Sequence, residues 1–338
     1  MRVAIREARK AHGRTSPNPA VGAILVINGK IVSRGHHQER GGPHAEIQCL
    51  GTLRSAPFPA KSILYVTLEP CSTVGKTGRC TEAIIQAGVS IVVIGAVDPN
   101  PKHNGRGIAA LERAGIQVRV GVLGRECSDL NEGFNKWIVS GRPFVVAKCG
   151  MTLDGRLTLP PGGDHWITSA AARRDAQQLR STVDAILVGA ETIRVDNPRL
   201  TVRGVKKARQ PWRVIVTKSG KLPSSSRVFR DRFKTKTVVY RDKSLTSVLR
   251  DLGKKEVLSV MIEGGGNLLG QALDQGLIDK VQLYVGTAFA GGPVVAFGGR
   301  GASSTQKAVR LERLSYTKIG HDLRVIGYPA VAPAVSVE

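Results

Sequence analysis

No hydrophobic run in this 338-residue chain is long enough to cross a bilayer. Apolar stretches such as Ala23 to Ile27 fall far short of the about 20 residues a spanning helix requires. The first residues, MRVAIREARK, lack the apolar core of a secretory signal, so a cytoplasmic location without membrane contact is expected. The chain opens almost inside a helix, which leaves room for an upstream segment. Aromatic residues make up only 4%, which argues against a stacking surface for single-stranded nucleic acid. Five cysteines, an odd number, do not make a disulfide framework. Reduced thiols, some of them metal ligands, are the expectation. There is no internal repeat, heptad pattern or low-complexity tract.

Acidic residues are also in short supply. Fifty Lys and Arg face 26 Asp and Glu, a net charge of +24. Residues 1–140 hold 18 basic and 10 acidic residues, and residues 141–338 hold 32 and 16. From Arg199 to Lys243 there are fifteen basic side chains against only Asp231 and Asp242. One reading of this stretch is a polyanion-binding surface for RNA or phosphorylated substrates. The plainer one is a solvated, insertion-like region, because charge runs usually are solvated faces.

The length argues for two domains. In the first, VGAILVI (21–27) reads as a strand, Asn28-Gly29 as a tight hairpin turn and residues 31–34 as its partner. A helix is predicted from near His44 to about Leu53, a buried strand over 62–68 and a helix over 81–87 closed by Gly88. A strand over 90–97, a helix over 107–114 and a strand over 116–122 complete the alternation of a layered α/β sheet. The segment around 125–140 reads as a connector, with the boundary near residue 141. A second cycle follows, with strands over 144–150, 185–190 and 257–263 and helices over 169–181 and 267–275. The end, AVAPAVSVE, reads as a loose tail.

Pro43-His44-Ala45-Glu46 and Pro70-Cys71, followed after eight residues by Cys80, carry chemistry. A catalytic zinc takes three nitrogen or sulfur ligands and leaves one position open. His44, Cys71 and Cys80 form such a set, and Glu46 stands close enough to move protons without binding the metal. This is the logic of zinc nucleobase deaminases, although their short-spaced members separate the cysteines by two residues. Cys49 is the nearest candidate for a fourth ligand, or it packs in the core. In the second half, three glycines after the strand ending at Glu263 let backbone N–H groups approach phosphate oxygens at a helix start. The dinucleotide fingerprint fails there, since Leu269 occupies its third glycine. Arg180 and Arg203 suit a ribose phosphate, because guanidinium pairs with phosphate bidentately. Lys148 is a candidate for substrate binding or for assisting the opening of a ribosylamine.

Thr15-Ser16-Pro17-Asn18-Pro19-Ala20-Val21-Gly22, His37, the Pro43 and Pro70 motifs with Ser72, the spacing to Cys80, and Asp98-Pro99-Asn100-Pro101 closely resemble the bifunctional riboflavin-biosynthesis deaminase–reductase family. Residues 148–156, Trp166 to Ser169, Thr192 to Arg203 and Glu263 to Asn267 resemble its reductase half, so the similarity spans nearly the whole chain. It implies a cytidine-deaminase-like three-layer domain over 1–140 and a dihydrofolate-reductase-like domain over 141–330. It implies one Zn²⁺ in the first and NADPH in the second. Asn18, His37 and Lys76 are then expected to contact a phosphorylated pyrimidine substrate in the deaminase. Met151, Trp166, Thr192, Asp196, Gly265, Gly266 and Asn267 are expected to hold the cofactor. Lys148, Asp164, Arg180, Leu200, Arg203 and Glu263 are expected to hold substrate in the reductase. Thr73 stands where the family usually has His, and Asp164 where a small hydroxyl residue is usual. A homo-oligomer is expected, and nucleic acid is not expected as a partner despite the charge.

Overall fold

The computed structural model describes residues 1–51, 58, 61–73, 78–157, 166–205, 207 and 209–330. Lys76, Asp164 and the tail from 331 onward lie outside the described residues. The chain divides into two compact units, Met1–Arg142 and Pro143–Glu338.

In the first unit the elements are α1 (Arg2–Arg9), β1 (Gly22–Ile27), β2 (Lys30–His36), α2 (Ala45–Gly51), β3 (Ser62–Leu68), α3 (Cys80–Gln86), β4 (Ile91–Ala96), α4 (Arg106–Arg113), β5 (Gln117–Val120), α5 (Gly124–Asp129) and α6 (Glu132–Ser140). The sheet order is β2-β1-β3-β4-β5, antiparallel at β1–β2 and β1–β3 and parallel from β3 to β5. Asn28 and Gly29 both have positive φ, 49° and 76°, the backbone of the mirror-image turn that matches strand twist. β1 is apolar on both faces. Ala23 and Leu25 join Cys49, Ile84 and Leu111, from α2, α3 and α4, in one cluster. On another face Ile5 and Ala8 of α1 pack with Cys127 and Leu130. Gly22 and Gly35 make this possible, since a Cβ on either would collide with the carbonyl of Ala4 or of Ala45. The segment read as a connector is two helices, α5 and α6, that bury Cys127 and Phe134.

The second unit contains β6 (Phe144–Met151), α7 (Ala170–Thr182), β7 (Ala185–Gly189), α8 (Ala190–Asp196), β8 (Trp212–Thr217), α9 (Arg227–Arg230), β9 (Thr237–Arg241), α10 (Leu245–Lys254), β10 (Ser259–Glu263), α11 (Gly266–Asp274), β11 (Lys280–Val285), β12 (Leu311–Ile319) and β13 (Asp322–Pro329). Its sheet runs β12-β13-β11-β6-β10-β7-β8-β9. The six strands from β11 to β9 are parallel, and β13 and β12 add an antiparallel edge. Leu249 and Leu252 of α10 and Leu269 of α11 pack with Val145, Leu187 and Val260. Ile186, Ile215 and Met261 pack instead with Ile193 of α8 and Val228 of α9. Strands buried on both faces read as continuous apolar runs, as these do. The basic stretch is therefore no insertion: β8 and β9 inside it are two strands of the main sheet. Among the described residues no helix is long and apolar enough to cross a membrane.

Candidate active sites of the two units

Three loops around the ends of β3 and α2 assemble the first site. His44 immediately precedes α2, Cys71 follows β3 by three residues, and Cys80 is the first residue of α3. His44 Nδ1 lies 3.2 Å from Cys80 Sγ and 3.5 Å from Cys71 Sγ. The three ligand atoms lie within 4.8 Å of one another, the one group of this kind among the described residues. One imidazole nitrogen and two thiols facing a common point suit zinc, with a fourth position left open. Cys49 is fully buried in the hydrophobic cluster, its thiol pushed up to about 11 by burial, and stands outside the group. The hydrogen bond from Cys80, with His44 beside it, pulls the Cys71 thiol below its usual range.

Glu46, on the first turn of α2, is 3% exposed, and burial pushes its carboxyl up to about 7. His37 Nδ1 donates to the Pro43 carbonyl at 3.0 Å. Its Nε2 therefore accepts from the Asn18 amide at 3.1 Å. Burial lowers the His37 pKa, consistent with a neutral ring. The His37 and His44 rings meet edge to face with centroids 5.5 Å apart, so Asn18, His37, His44 and Glu46 share one neighbourhood.

Two anchors of this site escaped the sequence reading. Glu69 Oε2 accepts the N–H groups of Asp98 and Gly105 at 3.2 and 3.0 Å, and its Oε1 those of Gly107 and Ile108 at 2.8 and 3.3 Å. It ties the end of β3 to the 98–105 loop and to the start of α4. Asn131 exchanges two hydrogen bonds with the backbone of Ala20, at 2.7 and 3.0 Å, and holds the loop that carries Asn18. The signal for Glu69 was a carboxylate directly behind an unbroken buried strand.

The second site centres on Glu263, the last residue of β10. Its register partner on β6 is Lys148, whose Nζ donates to Glu263 Oε1 at 3.0 Å. Arg180 of α7 grips the same carboxylate bidentately, Nε to Oε2 and Nη2 to Oε1, both at 2.8 Å. Burial alone would raise the Glu263 pKa, but Lys148 and Arg180 outweigh it and hold the group well below the usual carboxylate range. Arg180 Nη1 donates to the Thr201 carbonyl at 3.2 Å. Arg180 thus faces a carboxylate and a carbonyl, and Arg203 is exposed, its backbone N–H donating to Gln177 Oε1 at 2.9 Å. Leu200 is buried in a hydrophobic cluster with φ of 50°.

A cavity of about 660 Å³ opens beside β10 and α11. Thr192, Gly265, Gly266 and Asn267 line it, while Met151, Trp166 and Asp196 do not. Lys218 and Lys243, which the sequence reading did not single out, form part of its wall. Gly264 and Gly265 have φ of 93° and 79°, a turn that glycine makes at no steric cost. Gly266 has a second role, since a Cβ there would strike the Val295 carbonyl. Trp166 is 58% exposed, with the Arg173 guanidinium 4.5 Å from its ring centroid.

Comparison with known proteins agrees with this division. Residues 1–96 match the cytidine and deoxycytidylate deaminase zinc-binding region, and residues 143–325 match the RibD C-terminal domain. The chain is therefore a cytidine-deaminase-like zinc-binding domain joined to a RibD-type C-terminal reductase domain. Riboflavin biosynthesis protein RibD of Mycobacterium tuberculosis is 39% identical over 96% of this chain and 94% of its own. That of Aquifex aeolicus is 36% identical over 96% of both. The structure of Acinetobacter baumannii RibD superposes with a TM-score of 0.88 at 30% identity, covering 98% of each chain. A Thermotoga maritima structure, a diaminohydroxyphosphoribosylaminopyrimidine deaminase/5-amino-6-(5-phosphoribosylamino)uracil reductase, gives 0.85 at 34% identity over 98% and 97%. The chain belongs to the RibD family, bifunctional deaminase–reductases of riboflavin biosynthesis.

Proposed function

We propose that residues 1–140 hydrolyse the 2-amino group of 2,5-diamino-6-ribosylamino-4(3H)-pyrimidinone 5′-phosphate and that residues 141–330 reduce the ribosyl group of the product to ribityl with NADPH. The observation that carries the first step is the His44, Cys71 and Cys80 cluster with the buried carboxyl of Glu46 two residues from His44. In this reading His44 Nδ1 and the two sulfurs hold the metal. Its contribution, when bound, is to lower the pKa of a water toward about 7. Glu46 accepts the water's proton and delivers it to the departing amine, so water and amine become carbonyl and ammonia. Asn18 orients the pyrimidine and ribose through the polar atoms its amide has left, and His37 lines the pocket and holds that amide in place.

In the second step the cofactor, when bound, supplies a hydride, and the protein supplies orientation and charge. Gly265, Gly266 and Asn267 offer backbone N–H groups to its phosphates, with the Thr192 hydroxyl beside the glycine turn. Lys148 and Glu263 meet the ribosylamine, and Arg203 meets the 5′-phosphate. We take the protein to be cytoplasmic, in keeping with five cysteines free of disulfides. We also take it to be homo-oligomeric, in keeping with an exposed edge strand, β12, that presents Leu314 and Tyr316 to solvent. Incubation with the diaminopyrimidine phosphate, with and without NADPH, tests the whole reading by product mass. Ammonia release without NADPH and a reduced product only with it are expected. Reduction with no prior deamination would refute the order, and an unchanged substrate would refute the function.

A further inference from the structure

Arg199, Arg203 and Arg227 are drawn together by four tethers. Arg213, buried inside β8, donates Nη1 to Asp231 Oδ2 at 2.7 Å and to the Arg199 carbonyl at 3.2 Å, and Nη2 to the Val228 carbonyl at 2.8 Å. It fastens the loop after α8 to α9. The backbone N–H of Arg227, the first residue of α9, donates to Asn197 Oδ1 at 2.8 Å. On the other side of the loop, Arg180 Nη1 holds the Thr201 carbonyl and Gln177 holds the Arg203 N–H. Arg199 and Arg203 on one short loop and Arg227 at the start of α9 are therefore held together beside the Glu263 site, and all three residues are exposed.

Among the described residues no acid pairs with Arg199, Arg203 or Arg227. Of the two acids in the basic stretch, Asp231 is taken by Arg213. Glu263 is taken by Lys148 and Arg180. The crowding is felt electrostatically: burial first, then Arg180 and Arg199, and last Arg227, push the Arg203 pKa down, and Glu263 offsets only part of this. Like charges held together this way repel one another, and the arrangement gains most when an anion enters. A phosphate dianion takes more than one guanidinium, each through paired hydrogen bonds. Arg180 has already committed three of its donors to Glu263 and Thr201.

We propose that Arg199 and Arg227 complete, with Arg203, the recognition site for the 5′-phosphate of the reductase substrate. This rests on reading the second unit as a reductase of a phosphorylated substrate. Both residues lie in the basic stretch, so part of its charge has a specific use.

The test compares the native enzyme with Arg199→Gln, Arg227→Gln and the double variant. The deaminated ribosylamino substrate is supplied with and without its 5′-phosphate over a series of salt concentrations. Each single change is expected to raise KM for the phosphorylated substrate roughly ten-fold, the loss of one charge-assisted contact. It should also flatten the salt dependence, with KM for NADPH and for the dephosphorylated substrate unmoved. Equal KM shifts with both substrates, no shift at all, or a shift confined to NADPH would each overturn the proposal. If the glutamine variants fail to fold, Arg199→Lys and Arg227→Lys take their place, since they keep the charge and lose the paired hydrogen bonds: a KM raised only for the phosphorylated substrate upholds the proposal, and unchanged KM values overturn it. A native enzyme that reduces neither substrate would overturn the functional reading instead.

Discussion

Replacing Glu69 by Gln tests whether the zinc site is built from the loop ends inward. The carboxylate is 4% exposed and accepts four backbone N–H groups from three places in the chain. An amide keeps one acceptor oxygen and turns two N–H donors toward two N–H donors. The two shortest bonds, to Gly107 at 2.8 Å and Gly105 at 3.0 Å, fall on different oxygens, so either orientation of the amide loses one of them. A hydrogen bond to a charged group contributes about 1.5–3 kcal/mol, and two are lost. Relief from burying the charge offsets part of this, which leaves about 3 kcal/mol. For a unit of this size that corresponds to a fall of about 6–12 °C in melting temperature.

The effect should reach the metal. Glu69 stands two residues before Cys71, and Pro70 is packed so closely against Gly107 that a Cβ there would collide with its carbonyl. Loosening this corner moves a ligand, and outer partners of zinc ligands typically contribute 10–100-fold to affinity. The assay is thermal unfolding of the zinc-loaded protein, followed by zinc transfer to a chelating dye. A melting temperature within about 2 °C of native, with unaltered zinc retention, would refute the reasoning.

Glu46→Gln should retain zinc by metal analysis and lose deamination by about 10²–10⁴-fold, while NADPH-dependent reduction of deaminated substrate persists; a normal deamination rate would remove Glu46 from proton transfer. Gly266→Ala should unfold the second unit or abolish NADPH binding, because its methyl would strike the Val295 carbonyl; a titration with native affinity would contradict that contact. Lys207, whose Nζ caps α7 through the Ser181 and Val183 carbonyls at 2.7 and 2.8 Å, is lowered by burial from 10.5 to about 8. Its folded pKa lies below its unfolded one, so the unfolded chain binds more protons between about pH 8 and 10.5 and stability rises with pH across that window, by up to about 3 kcal/mol. Lys207→Met should abolish that rise in a series of denaturation curves, and parallel curves for the two proteins would disprove it.

How much of this was legible in the sequence follows from how local each signal is. SILYVTL became β3 with the predicted bounds, because a strand buried on both faces needs no alternation to be seen. The zinc ligands were legible because each adjoins the end of a strand or the start of a helix and carries its own motif. Helices α5 and α6 were not, since GRECSD and EGFNKWIVS show too few apolar positions to set a period. In the basic stretch, charge density hid WRVIVT and TVVYR. Arg213 interrupts the first, yet it is buried and paired with Asp231. Strand β12 buries almost nothing and so carries no hydrophobic signal. The grip of Lys148 and Arg180 on Glu263 spans 115 and 83 residues, a separation across which spacing says nothing. The sequence showed the residues but not that Arg180 is already occupied.

Both units place their chemistry where parallel strands end. Glu69 follows β3 and Asp98 follows β4 in one, while Glu263 closes β10 in the other, in register with Lys148 of β6. Helices and loops that start at these ends offer unpaired N–H groups, and the apolar sheet behind them excludes water. A carboxylate in such a corner takes its character from its neighbours. Among the described residues no arginine or lysine pairs with Glu46, and burial holds its carboxyl near neutrality, at about 7. Glu263 sits between Lys148 and Arg180 and stays charged. Two buried glutamates on one chain are thus set to opposite tasks. The first can exchange a proton with a reacting group. The second fixes the ammonium and guanidinium around it, so that the positive charge it leaves uncompensated lies on the loop of Arg199 and Arg203.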